Sequence, residues 1–291
     1  MKKPIVTVLI PSYNHALYIE QLLNSVVQQS YGYEYIELIV VDDCSTDNSA
    51  AIIQKMADEH NFQFILNKKN QGICANLNKG ILLAKGKYIC ISGSDDYWAL
   101  DKLDLQVTHL ENNPKAAVCS GNVTRVDGDG NDLIAERQIS APARAYTFKE
   151  VFLRDFPFST TCAIIRKSVL TELGGYDETL KIEDYYMWLK IAAAGYELHF
   201  LKEILGYYRI HATNTIHRSL FIYSEMEKIL TLYEKHPLYP AAIKRLNVVY
   251  FPQIAQLNKK KALGMLPAAI SNTRFFYRGL YYLIRPSKSM S

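Results

Sequence analysis

Over its first 92 residues this chain switches repeatedly between short apolar runs and longer stretches of helical periodicity, and that alternation restricts the fold more than any other feature. Residues 5–10, Ile-Val-Thr-Val-Leu-Ile, are almost wholly apolar and read as a strand buried on both faces. Pro11 and Asn14 end it. Between Ala16 and Ser30, Leu17, Ile19, Leu22, Leu23, Val26 and Val27 recur at helical spacing. The same reading gives a strand over 36–41, a helix over 48–60, a strand over 62–66, a helix over 73–85 closed by Gly86, and a strand over 88–92. Single helices between such strands call for an α/β fold with a mostly parallel central sheet flanked by helices. Ligands of these sheets bind beyond the carboxyl ends of the strands. Three polar tips, Pro11-Ser12-Tyr13-Asn14, Asp42-Asp43 and Ser94-Asp95-Asp96, are therefore expected on one rim.

Beyond residue 113 the pattern is less regular. Strands are expected over 116–126 and 161–166, a helix over 183–194 ending at Gly195, and extended chain over 196–210. Asp127-Gly128-Asp129-Gly130-Asn131 lacks the later ligands and closing Glu of a calcium loop, so it reads as a hairpin turn. Residues 220–283 are helical in pattern, interrupted by Pro237, Pro240, Pro252 and Pro267.

Two acidic pairs stand out. Asp95-Asp96 follows an apolar strand, where like charges are costly unless a cation or polar ligand compensates. The alternative is capping of a helix that starts near Leu100. Glu183-Asp184 opens a helix, where carboxylates are also favourable without any ligand.

From about Val6 to His211 the chain resembles the family 2 glycosyltransferases, whose fold is called GT-A. The resemblance rests on motifs in order: Val8-Leu9-Ile10-Pro11-Ser12-Tyr13-Asn14, Ile39-Val40-Val41-Asp42-Asp43-Cys44-Ser45-Thr46-Asp47, Asn70-Gln71-Gly72, Asn78-Lys79-Gly80, Ser94-Asp95-Asp96-Tyr97-Trp98, Gly174-Gly175-Tyr176-Asp177 and Glu183-Asp184-Tyr185. It implies a catalytic domain over 1–215, with a nucleotide-binding half (1–113) and an acceptor half (114–215), then a helical extension over 216–291. Pro11, Tyr13, Asn14 and Ser94 would line the nucleotide-sugar site, with Asp43 on the uracil ring. Asp95, with His211, would hold Mn2+ or Mg2+ against the donor diphosphate. Asp184 would be the general base, with Glu183, Asp96 and Trp98 supporting it or facing the acceptor. Such an enzyme moves a sugar from a UDP-sugar to a hydroxyl of a glycan, in keeping with lipid-linked acceptors in O-antigen or capsule assembly. One base with direct attack inverts the anomeric centre.

The chain departs from the family at two places. Gly93 stands where many members carry another metal-binding Asp, and Leu77 where many carry an Arg facing the diphosphate. Phosphate contacts are then expected from Arg209 or Lys79. Both departures favour the alternative of a non-catalytic nucleotide-sugar-binding protein, while Asp43, Asp95 and Asp184 weigh against it. A nucleotidyltransferase would need a Gly-rich basic loop after the first strand, which Pro11-Ser12-Tyr13-Asn14-His15 is not.

The formal charge of +4 hides an asymmetry. Ten of the 33 Lys and Arg follow Glu234 and no Asp or Glu does, which leaves 23 basic against 29 acidic residues before that point. Residues 271–285 mix Arg274, Arg278 and Arg285 with aromatics, as an interfacial helix on an anionic leaflet would. Packing back on the domain and a homodimer contact are the alternatives; nothing beyond charge suggests nucleic acid. There is no signal-peptide pattern and no run of 18 apolar residues. The five scattered cysteines read as reduced thiols, so the chain is expected in the cytoplasm, peripheral on the inner face of the membrane.

Overall fold

The structure, a computed structural model, describes residues 5–133, 141–212, 214 and 218–284. It comprises two compact units: one runs to Phe148 and includes Phe156–His211, the other is Lys149–Asp155 with the chain from Ala212.

In the first unit the alternation builds strands β1 (Val6–Ser12), β2 (Ile36–Asp42), β3 (Gln63–Leu66) and β4 (Tyr88–Ile91) with helices α1 (Ile19–Val27), α2 (Ser49–His60) and α3 (Ile73–Leu83) between them. These four strands are parallel, in the order β3-β2-β1-β4. Val6, Val8, Leu9 and Ile10 of β1 have no exposed surface, which explains the absence of a polar face in that run. Each such side chain contributes about 1.5–3 kcal/mol on burial. Gly80 of α3 lies against Leu9, where a Cβ would come within 2.2 Å of Cδ1. Only glycine there allows the helix to approach β1 this closely.

Beyond β4 the sheet becomes mixed. The chain adds β5 (Tyr97–Trp98), α4 (Lys102–Asn112), β6 (Ala116–Val126), β7 (Arg144–Tyr146), α5 (Phe148–Phe152), β8 (Ile164–Arg166), α6 (Lys167–Glu172), α7 (Glu183–Ala193) and β9 (Glu197–Arg209). The order continues β4-β8-β6-β9-β5, with β8 antiparallel to both β4 and β6, β6 parallel to β9, and β7 on β9. The 127–131 segment is a turn, with Asp129 and Asn131 N–H donating to the Asp127 carboxylate.

Two local expectations need correction. Gly86 does not close α3, which stops at Leu83. The glycine is small for another reason: a Cβ there would meet the Thr7 nitrogen at 2.5 Å, and its N–H donates to Thr7 Oγ1. In the second unit, α8 (Ser219–Thr231), α9 (Tyr239–Leu257), α10 (Lys259–Ala269) and α11 (Thr273–Ile284) carry Pro252 and Pro267 inside α9 and α10 instead of being broken there. No helix among the described residues is long and apolar enough to cross a membrane.

Candidate active site

The three polar tips meet at the carboxyl ends of β1, β2 and β4, and a dense set of hydrogen bonds joins them. Asn14 takes a left-handed conformation (φ 54°), which turns the chain after β1 onto the turn that follows β2. There Asn14 N–H donates to Ser45 Oγ, Thr46 N–H to Asn14 Oδ1, His15 N–H to Ser49 Oγ and Ala16 N–H to Asp47 Oδ2. Asp47 also accepts from Ser49 N–H at the start of α2, the capping role that its position suggests. Tyr13 is 46% exposed and Pro11 is partly buried, so both have surface left on this rim.

Asp43 is a buried anchor. Its carboxylate accepts from Gln71 N–H, Gly72 N–H and Asn67 Nδ2, all at 2.8–2.9 Å. Burial alone would raise its pKa, but these donors together hold it below the ordinary carboxylate value. Gly72 has φ 86°, so this turn is built for glycine. Lys79 Nζ donates to Asn67 Oδ1 at 2.6 Å and so belongs to the Asp43 network.

At the end of β4 the two carboxylates separate. Asp96 is 3% exposed and accepts from Thr161 Oγ1 and Arg209 N–H. Burial, then the Asp95 charge, raises its pKa. Asp96 is therefore an internal tie and does not face an acceptor. Neither acid caps α4, whose N-cap position is Asp101. Trp98 is also internal: it is 4% exposed, donates to Ser92 Oγ and lies under Lys102 Nζ at 3.8 Å from the ring centre. Burial removes it from any stacking on a sugar.

Asp95 points the other way, with its Oδ2 3.0 Å from His211 Nε2. His15, which no sequence motif singled out, completes the group: Nδ1 is 2.7 Å from Ser94 Oγ, and its ring is edge-on to His211 at 5.7 Å. Candidate ligand atoms of His15, Asp95 and His211 all lie within 4.8 Å of one another. Burial lowers the His15 pKa against the raising effect of Asp95, which favours the neutral imidazole that a metal requires. One carboxylate and two imidazoles suit a divalent transition metal. Gly93 has a local reason as well, since a Cβ there would stand 2.8 Å from Asp95 Oδ1.

Arg209 does not serve a phosphate. It is 1% exposed, and its guanidinium donates to the carbonyls of Asp95, Asp127 and Gly128 and to Gln21 Oε1. It holds the turn after β6 against the Asp95 loop.

At the start of α7, Asp184 Oδ2 accepts from Thr160 Oγ1 at 3.2 Å and Oδ1 from Tyr185 N–H. Burial, then the charge of Asp184, raises the pKa of Glu183. The electrostatics of Tyr208 link this helix to the β4 loop. Burial pushes its phenol up to about 12, with smaller contributions from the charges of Asp96, Asp95 and Asp184. Adjacent hydroxyls join the two motifs, since Thr160 Oγ1 donates to Asp184 and Thr161 Oγ1 to Asp96, 88 positions earlier in the sequence. Nothing in the sequence marked Tyr208; it follows only from the course of β9.

The model of glycosyl transferase family 2 matches residues 7–174. The chain belongs to glycosyl transferase family 2. A glycosyl transferase of Bacillus subtilis (strain 168), TuaG, named for teichuronic acid biosynthesis, is 29% identical over 239 residues, 78% of this chain and 90% of that protein. Staphylococcus aureus TarS 1-349, solved with UDP-GlcNAc, superposes with a TM-score of 0.68 at 17% identity, over 96% of this chain and 90% of that one. The mannosyltransferase PcManGT of Pyrobaculum calidifontis, solved with GDP-Man and Mn2+, gives 0.64 at 19% identity, over 97% and 86%. The GT-A fold of this family 2 transferase is thereby shown.

Proposed function

We propose that this family 2 transferase moves a sugar from a UDP-sugar to a hydroxyl of a cell-surface glycan or its lipid-linked precursor, with inversion. The observation that carries the reading is that adjacent residues tie the two acidic motifs together, Thr160 donating to Asp184 and Thr161 to Asp96, next to the Asp95–His211–His15 cluster. Asp184 takes the proton of the acceptor hydroxyl as its oxygen bonds to the anomeric carbon, and the bond from that carbon to the diphosphate breaks. Thr160 and the Tyr185 N–H orient the Asp184 carboxylate. Asp43, through Gln71 and Gly72, fixes the turn beside the nucleoside, and Pro11, Tyr13 and Asn14 border it. Asp95, His211 and His15 would hold the Mn2+ or Mg2+. When bound, that ion neutralises charge developing on the leaving diphosphate. The UDP-GlcNAc complex of TarS supports a UDP donor, the teichuronic acid biosynthesis for which TuaG is named supports a glycan acceptor, and the Mn2+ in PcManGT supports the metal.

Donor turnover and Mn2+ binding, the latter followed by electron paramagnetic resonance, test the reading. UDP-sugar hydrolysis or transfer is expected with Mn2+ and is lost in Asp184→Asn, while UDP still binds. Tight UDP binding by the wild type with no turnover toward any acceptor extract would assign the chain to the non-catalytic alternative. His15→Ala is expected to weaken Mn2+ binding about tenfold or more; unchanged Mn2+ affinity removes His15 from the ligand set.

A further inference from the structure

We infer that the outer faces of α10 and α11 form a docking surface for an anionic lipid bilayer. Large apolar side chains stand exposed on both helices and recur at helical spacing, together with cations. On α10 the exposed line is Lys260, Leu263, Pro267 and, just past its end, Ile270, with Leu263 57% and Ile270 65% exposed. On α11 it is Arg274, Tyr277, Arg278 and Tyr281, with Tyr277 65% exposed. The opposite side of each helix is spent on packing within this unit: Ala262, Met265 and Ala269 are buried, and Gly279 meets the Phe251 ring of α9 so closely that a Cβ would stand 2.3 Å from it. The exposed lines are therefore surface left over after the unit has formed its own core.

Charge identifies the occupant. No Asp or Glu follows Glu234, so neither face carries a carboxylate to repel lipid phosphate. Lys261 of α10 is turned away from this line, toward Glu227 of α8. Leu and Ile insert below the headgroups, Tyr sits at their level, and Lys and Arg reach the phosphates. The surface extends the tail reading of the sequence in one respect, because Leu263 and Ile270 of α10 lie outside the basic aromatic stretch of 271–285. Arg285 lies outside the described residues.

Co-sedimentation of the full chain with phosphatidylglycerol-containing and pure phosphatidylcholine vesicles tests the inference. Binding is expected to the anionic vesicles only and to fall with salt. Each neutralised arginine is expected to lower partitioning about fivefold, so Arg274→Ala with Arg278→Ala should lose roughly 25-fold. Leu263→Ser with Ile270→Ser should weaken binding at high salt as well, because its loss is apolar. All four positions are exposed, so an unchanged thermal transition is the expected folding control. Absence of vesicle binding, or equal binding to neutral vesicles, overturns the inference. So does a dimer, seen by light scattering, that the Leu263/Ile270 variant dissolves, since the surface would then belong to a second copy of the chain.

Discussion

At the end of β4 the first acid of the pair, Asp95, faces His211 while the second, Asp96, is buried against Thr161 and Arg209. At the start of α7 the order is reversed: Glu183 is the acid whose pKa burial raises, and Asp184 reaches Thr160. The pairs look alike in sequence, yet in each one acid is pushed toward its neutral form and the other is hydrogen-bonded to a neighbouring side chain. A carboxylate that is desolvated beside a second charge is pushed toward its neutral form, and its neighbour then carries the charge alone. Adjacency thus sets up the division, and the elements packed around each pair decide which member is pushed toward its neutral form.

The largest expected effect breaks the second pair. Asp184→Asn should lower the transfer rate by about a thousandfold, whereas Glu183→Gln, which mimics a neutral acid, should change it little; single-turnover kinetics separates the two. A comparable loss in both would end the division of roles at α7. Next comes the first pair. Asp95→Asn should weaken Mn2+ binding by about a hundredfold, since losing even a group hydrogen-bonded to a ligand costs roughly 10- to 100-fold. Asp96→Asn should leave Mn2+ affinity near the wild-type value in a titration.

Stability sharpens the contrast from the other side. Asp96→Ala leaves the buried Arg209 N–H without its acceptor and should cost about 1–3 kcal/mol in denaturant unfolding, while Asp95→Ala should cost less. The smallest effect is on pH dependence. Asp96 has a pKa raised above its ordinary 3.8, so the folded chain holds that proton more tightly than the unfolded chain does. Its contribution to stability is full below pH 3.8 and is lost as pH rises through the raised value. Asp96→Asn should therefore match the wild type in acid and gain relative to it toward pH 8, as a difference of a few degrees in melting temperature. Parallel curves would mean that Asp96 ionises in the fold as it does in water.

Much of the first unit was legible because its signals are local. The buried run of β1, the helical spacing of α1 and the closing Gly195 of α7 each follow from neighbouring residues, and so did the three strand-end tips. The errors share one cause, which is contact with distant chain. Gly86 looked like a helix terminator, but its size answers to Thr7. Arg209 looked available for phosphate, but it is buried, with loop carbonyls from two other segments and Gln21 accepting from its guanidinium. Trp98, expected to support the base or face the acceptor, is a core residue over which Lys102 lies.

The sequence by itself determined the alternating architecture, the family, the acidic pairs and the charge asymmetry of the tail, because periodicity, motif order and composition are properties of the chain read in one dimension. Only the tertiary structure decided that Asp96 turns inward while Asp95 faces His211, that His15 joins Asp95 and His211, and that α10 shares its exposed apolar character with α11. Those outcomes depend on burial and on distances between remote residues, and burial sets the desolvation that governs both ionisation and packing.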